Sequence, residues 1–160
     1  MRLAVEPLTA HAFAPFGEVI APSSAKRVIM INDGTAARHH DLARIDCDAD
    51  GGRAIVSIVR AQPRALPFAI TMLERHPLGS QAFVPLDPAV RYLIVVATDP
   101  QSPPRAFLAS DGQGVNYARG AWHHPLIALD RASDFLVIDR GGAGANCDEA
   151  ALPQRYELLP

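Results

Sequence analysis

Apolar residues recur along this chain in short runs separated by turn chemistry, and no run carries the period of a long helix. Strand-length runs fall at residues 18–20, 28–31, 54–60, 68–76, 81–85, 92–98, 105–108, 125–129, 135–139 and 155–158. They follow one another at intervals of about ten residues, the spacing of an all-β sandwich or barrel. The one helical signal is residues 9–13, where Thr9 is placed to cap a turn that stops before Pro15. Asn32-Asp33-Gly34 closes the second run as a tight turn, because Asn and Gly tolerate positive φ. Arg38-His39-His40-Asp41 then falls in an irregular polar segment, and residues 139–149 read as a polar loop before a last strand.

Residues 68–76 carry more than a strand prediction. Period two puts Ile70, Met72, Glu74 and His76 on one face and Thr71, Leu73 and Arg75 on the other. If the first face lines a barrel, its lower part is apolar and its upper end presents a carboxylate and an imidazole. That is the layout of a lined pocket with chemistry near its mouth. A second concentration of functional groups is Asn116-Tyr117-Ala118-Arg119-Gly120-Ala121-Trp122-His123-His124-Pro125. Imidazole titrates near neutral pH and ligates metals, so the two histidines are candidates for acid/base work or metal binding. On a strand they face opposite ways, and packing explains one of them equally well.

Composition narrows the picture without changing it. A chain of 160 residues fits one domain, and 49% hydrophobic with 20% charged residues suits a compact fold. The net charge of -2 and the absence of a basic run argue against a nucleic-acid partner. No apolar stretch approaches bilayer-spanning length, and the N-terminus lacks the apolar core of a signal peptide, so no membrane partner and a cytoplasmic location are expected. Cys47 and Cys147 form neither a disulfide framework nor a metal knuckle and read as incidental thiols.

Two segments resemble the paired motifs of cupin barrels. Gly112, Gly120 and His123 match the second motif, with Ala118 where that motif has proline. In the first motif Glu74 and His76 stand at the HxH positions and Gln81 at the later Glu position. The ligand set Glu74, His76, Gln81 and His123 therefore departs from the usual three histidines and one glutamate. A closer resemblance runs through Leu73-Glu74-Arg75-His76-Pro77-Leu78-Gly79-Ser80-Gln81-Ala82-Phe83, Gly114-Val115-Asn116-Tyr117, Trp122-His123-His124-Pro125-Leu126 and Ile138-Asp139-Arg140-Gly141-Gly142. With Asn146-Cys147-Asp148, and with Asn32-Asp33-Gly34, Arg38-His39-His40-Asp41-Leu42-Ala43 and Arg60-Ala61-Gln62-Pro63 in the same order, the chain looks like the ureidoglycolate lyases. Gly120 and His39 depart from that pattern, neither at a position given to chemistry.

The resemblance implies a single cupin-like β-barrel domain over residues 1–160, a homodimer, and a divalent metal, nickel. It also implies cleavage of (S)-ureidoglycolate, a small-molecule substrate, to glyoxylate and urea in the degradation of allantoin. Breaking the C–N bond of that carbinolamine takes a base at the hydroxyl and an acid at the departing nitrogen. The motif positions assign these roles to His76 and His123, with Glu74 beside them. For the substrate carboxylate the choice is Arg38, with His40, Asn116 and Tyr117 as polar walls and Trp122 as an apolar wall. Arg119 ranks lower, because a surface salt bridge explains it. Trp122 lies on the other side of the strand from His123, so it lines the pocket only if the strand twists or bulges there. Two other readings use the same residues: a non-catalytic cupin sensor that binds a small carboxylic acid, and a hydrolase of the ureido group that releases ammonia.

Overall fold

A computed structural model describes all of residues 1–160. The chain opens with β1 (Val5–Pro7), α1 (Ala10–Phe13) and β2 (Gly17–Ile20), then forms β3 (Val28–Ile31) and β4 (Ala36–His39). β5 (Arg53–Ala61), β6 (Phe68–Arg75), β7 (Gln81–Pro85), β8 (Tyr92–Ala97) and β9 (Arg105–Ala109) follow. The last strands are β10 (Gly114–Tyr117), β11 (Trp122–His123), β12 (Ile127–Ala128), β13 (Ser133–Gly141) and β14 (Asp148–Leu158).

One sheet runs β1-β9-β8-β11-β6-β14, with β12 also on β8, and the other runs β2-β10-β7-β13-β5. The two curl over a shared interior as a cupin-like barrel: the spacing of the apolar runs predicts a sandwich or barrel, and the resemblance implies the cupin form. Thr9 caps α1 by accepting from Ala12 N, as its position suggests. Phe13 of that helix is fully buried and packs on Phe16, Phe107 and Tyr117. The helix thus closes one end of the barrel and forms part of the support beneath Tyr117.

β8 shows how the molecule is layered, since all six of its residues are buried. Tyr92, Ile94 and Val96 point into the barrel, where they meet Phe107, Tyr117, Phe135 and Val137. Leu93, Val95 and Ala97 point outward into a second apolar cluster with Leu73, Leu152 and Tyr156. A strand covered on both faces reads as a continuous apolar run rather than an alternation.

Three elements differ from the sequence reading. Residues 36–39 form β4 and pair with β3, because the turn at Asn32 and Asp33, both at positive φ, folds the chain back on itself. β14 starts at Asp148, inside the segment read as a loop; its polar residues hide a strand whose register against β6 shifts between Ala151 and Tyr156. Opposite that shift, Ile70 joins Leu73 in the outer cluster, so the alternation of β6 holds only from Leu73 onward. Replacing Phe13 with Ala should cost about 3–5 kcal/mol. Urea unfolding checks this, with the midpoint falling while the slope is kept.

Candidate active site

His123 and Glu74 are partners in the β11–β6 register, and His123 also pairs with Val96, an interior residue of β8. This places both side chains on the inner face, as the strand periodicity requires from Leu73 onward. Between β10 and β11 the chain turns at Gly120, whose φ of 76° favours glycine and whose N–H donates to the carbonyl of His76 at 2.9 Å. That one bond ties the two motif segments together at the mouth of the barrel.

His123 is 2% exposed and its ring is fixed on three sides. It stacks on Tyr117 at 4.2 Å between centroids and 10° between planes. Nδ1 lies 2.9 Å from the carbonyl of Ala121, which accepts only, so the proton of a neutral ring sits on Nδ1. Nε2 is then left with a lone pair, buried and without a hydrogen-bond partner, 3.6 Å from Oε1 of Glu74. Two lone pairs facing each other at that distance call for a positive group, or a donated proton, between them. When the His123 ring carries a proton on Nε2 as well, it hydrogen-bonds the Glu74 carboxylate and holds that carboxyl below the usual carboxylate range, against the opposing effect of burial. Burial, and Glu74 in second place, push the Tyr117 phenol above its ordinary value, so it keeps its proton.

His76 closes the other side, its ring 5.2 Å from that of His123. Its Nδ1 is 2.7 Å from the carbonyl of Asn146, and its Nε2 is 3.2 Å from Oε1 of Gln81. Gln81 in turn donates from Nε2 to Asp139 at 3.4 Å. With Asp139 orienting the amide in this way, both partners of His76 are acceptors, and only a ring carrying hydrogen on both nitrogens would satisfy both.

Ligand atoms of Glu74, His76 and His123 lie within 4.8 Å of one another. Two imidazoles and a carboxylate suit a borderline divalent ion, and the orphaned Nε2 of His123 is an observation such an ion explains. The residues therefore fit a metal. Gln81 stands beside His76 as a further oxygen donor.

Other candidates are placed elsewhere. Asn116 is buried on the outer side of β10, where it donates to Glu18 and to the carbonyl of Arg44. Trp122 points outward: β11 has no bulge, its partner Ala97 belongs to the outer cluster, and Arg75 lies 4.8 Å over the indole. His124 is also outward, edge-on to Phe68. Arg119 is bridged to Asp46 and Asp48. Arg38 is exposed on the β3–β4 hairpin and His40 lies at its base, and neither side chain bonds to the cluster. The site residues missed in the sequence are Asp139, Asn146 and Cys147. Cys147 Sγ comes 3.9 Å from Oε2 of Glu74, and burial, with Glu74 and Glu149 nearby, raises its thiol above the ordinary value. The proximity of Cys147 and Glu149 to Glu74 comes from the pairing of β14 with β6, which the sequence reading did not extend that far.

The family model described as ureidoglycolate lyase matches residues 1–159. The chain belongs to the ureidoglycolate lyase family. A ureidoglycolate lyase of Burkholderia cepacia is 61% identical over 98% of this chain and 89% of that relative. One of Brucella melitensis biotype 2 is 53% identical over 92% of this chain and 88% of that relative. Among solved structures, a 3,4-ketoisomerase from Helicobacter canadensis is 10% identical with a TM-score of 0.44, covering 76% of this chain and 83% of that one. No helix is long and apolar enough to cross a membrane.

The Glu74 shift gives a pH prediction. Its folded-state pKa lies below that of the unfolded chain, so the pairing stabilises the fold above the ordinary carboxylate range and is lost as pH falls through the folded value. Glu74→Gln should therefore flatten the decline of stability in acid. Urea unfolding across a pH series checks this, and parallel profiles for the two proteins would contradict it.

Proposed function

We propose that this protein is a ureidoglycolate lyase that eliminates urea from (S)-ureidoglycolate to leave glyoxylate. The convergence of Glu74, His76 and His123 on one inward face, in a chain that matches the family over residues 1–159, carries this reading. His123 acts as the base. Its Nδ1 proton is engaged by Ala121, so Nε2 takes the proton of the substrate hydroxyl, and Glu74 at 3.6 Å stabilises the imidazolium that forms. His76 acts as the acid. Doubly protonated between Asn146 and Gln81, it gives its Nε2 proton to the urea nitrogen as the C–N bond breaks and the carbonyl of glyoxylate forms. Tyr117 holds the His123 ring by stacking and offers its phenol as a donor. The proton lost by the hydroxyl and the proton gained by urea balance, so the chemistry needs no redox partner.

The three ligand atoms within 4.8 Å support a second form of the site. A divalent ion there, nickel by family resemblance, would supply Lewis-acid polarisation of substrate oxygens. The same two Nε2 atoms cannot both bind an ion and exchange protons, so the two forms exclude each other. Metal analysis of protein purified without a histidine tag, with urea release measured before and after chelation, separates them. The acid/base form keeps its rate, and the metal form loses it. The reading further makes the protein a cytoplasmic homodimer, with Arg38 receiving the substrate carboxylate.

His123→Ala and His76→Ala should each lower urea release by about 10²- to 10⁴-fold while circular dichroism stays unchanged. Urea must be the primary product. Ammonia appearing first would make the protein a ureido hydrolase, and a thermal shift without either product would make it a binding module.

A further inference from the structure

β3 and β4 pair only with each other, and Val28 and Met30 are 53% and 59% exposed. A two-stranded hairpin of this length is marginal in water by itself. The same chain leaves a second feature uncovered. β5 is the outer strand of its sheet and pairs with β13 in unbroken register from Arg53 to Ala61, so its other edge is free. Val56 and Ile58 are 67% and 56% exposed, and no proline, glycine or lysine interrupts the strand. Long, regular, apolar edges are rarely left open.

The free edge lies beside the site. Asp139, which fixes Gln81, pairs with Ile55 of β5, so only that strand separates the network from the open side. The site also lacks a free cation for a carboxylate. Arg75 is held by Asp148, Arg119 by Asp46 and Asp48, and Arg140 by the carbonyls of Ala49 and Ala143. Arg53 and Arg44 line a cleft with Asp46 and Asp48. The hairpin carries Arg38, with Lys26 and Arg27 at its base, and none of these forms an ion pair within the chain. The mouth of the barrel carries Glu74, Asp139 and Glu149.

We propose that in a homodimer the β3–β4 hairpin of each protomer docks along the β5 edge of the other and delivers Arg38 to that protomer's site. Two copies related by a two-fold axis cover both uncovered features at once, because hairpin and edge belong to the same chain. The basic hairpin meets an acidic mouth, and the guanidinium supplies the fork that a carboxylate accepts. This assignment rests on the lyase reading for the identity of the carboxylate, and on geometry alone for the docking.

Co-expression of an Arg38→Ala chain and a His123→Ala chain, each with its own tag, tests the delivery, the mixed dimer being isolated through both tags. Arg38→Ala alone should lower kcat/KM by about 10- to 100-fold, the loss of a charge-assisted bond. The mixed dimer holds one site with both groups intact and should regain about half of wild-type urea release, since each two-fold dimer has two sites. A mixed dimer no more active than its parents, or an Arg38→Ala protein as active as wild type, overturns the delivery. Met30→Asp and Val56→Asp test the docking without reference to activity. Each should shift the dimer toward monomer in sedimentation, and unchanged dimers, or a wild-type monomer, overturn it. A wild-type protein that releases no urea sinks the lyase reading instead, and sedimentation then still decides the docking.

Discussion

Glu74 and His123 face each other 3.6 Å apart across the β6–β11 pair, and the rest of the site is arranged around that contact. A carboxylate and an unprotonated imidazole nitrogen do not remain side by side in a buried space without something positive to share. The protein leaves that demand unmet in its own hydrogen bonds, since Nε2 of His123 has no partner. Everything that fixes the ring serves to keep it so. Ala121 takes the other proton, Tyr117 stacks on the face, and Phe13 of the short helix packs behind Tyr117. The barrel positions one reactive nitrogen and leaves it for a substrate hydroxyl or an ion.

His76 is built on the opposite logic. Its two ring nitrogens meet two acceptors, Asn146 and Gln81, and Asp139 sets the orientation of the amide between them. Two imidazoles 5.2 Å apart thereby meet different hydrogen-bonding surroundings. An elimination that moves one proton off oxygen and another onto nitrogen needs that asymmetry.

The barrel was legible in the sequence because it rests on local regularities, and the inward place of His123 was legible through its resemblance to the second cupin motif. Short apolar runs specify strands, and the alternation Leu73, Glu74, Arg75 determines which side each residue faces. The same periodicity turned Trp122 away from His123, and the structure keeps it outside against Arg75. Contacts made by distant segments were not legible. Asn146 and Cys147 reach the site because β14 pairs with β6, a long-range pairing with a register shift that no local pattern encodes. Asn116 sits in a window rich in functional groups, yet it serves the outer face by binding Glu18 and Arg44. A motif window shows where chemistry is concentrated, and the pairing partners decide which of its side chains take part.

His123 presents an unprotonated Nε2 to the reacting group because Ala121 holds the proton at Nδ1. Nitrogen NMR of the neutral His123 ring in metal-free protein tests this. The structure predicts the neutral tautomer with hydrogen on Nδ1, in wild type and in Glu74→Gln alike. A neutral ring carrying its proton on Nε2, toward Glu74, would contradict it.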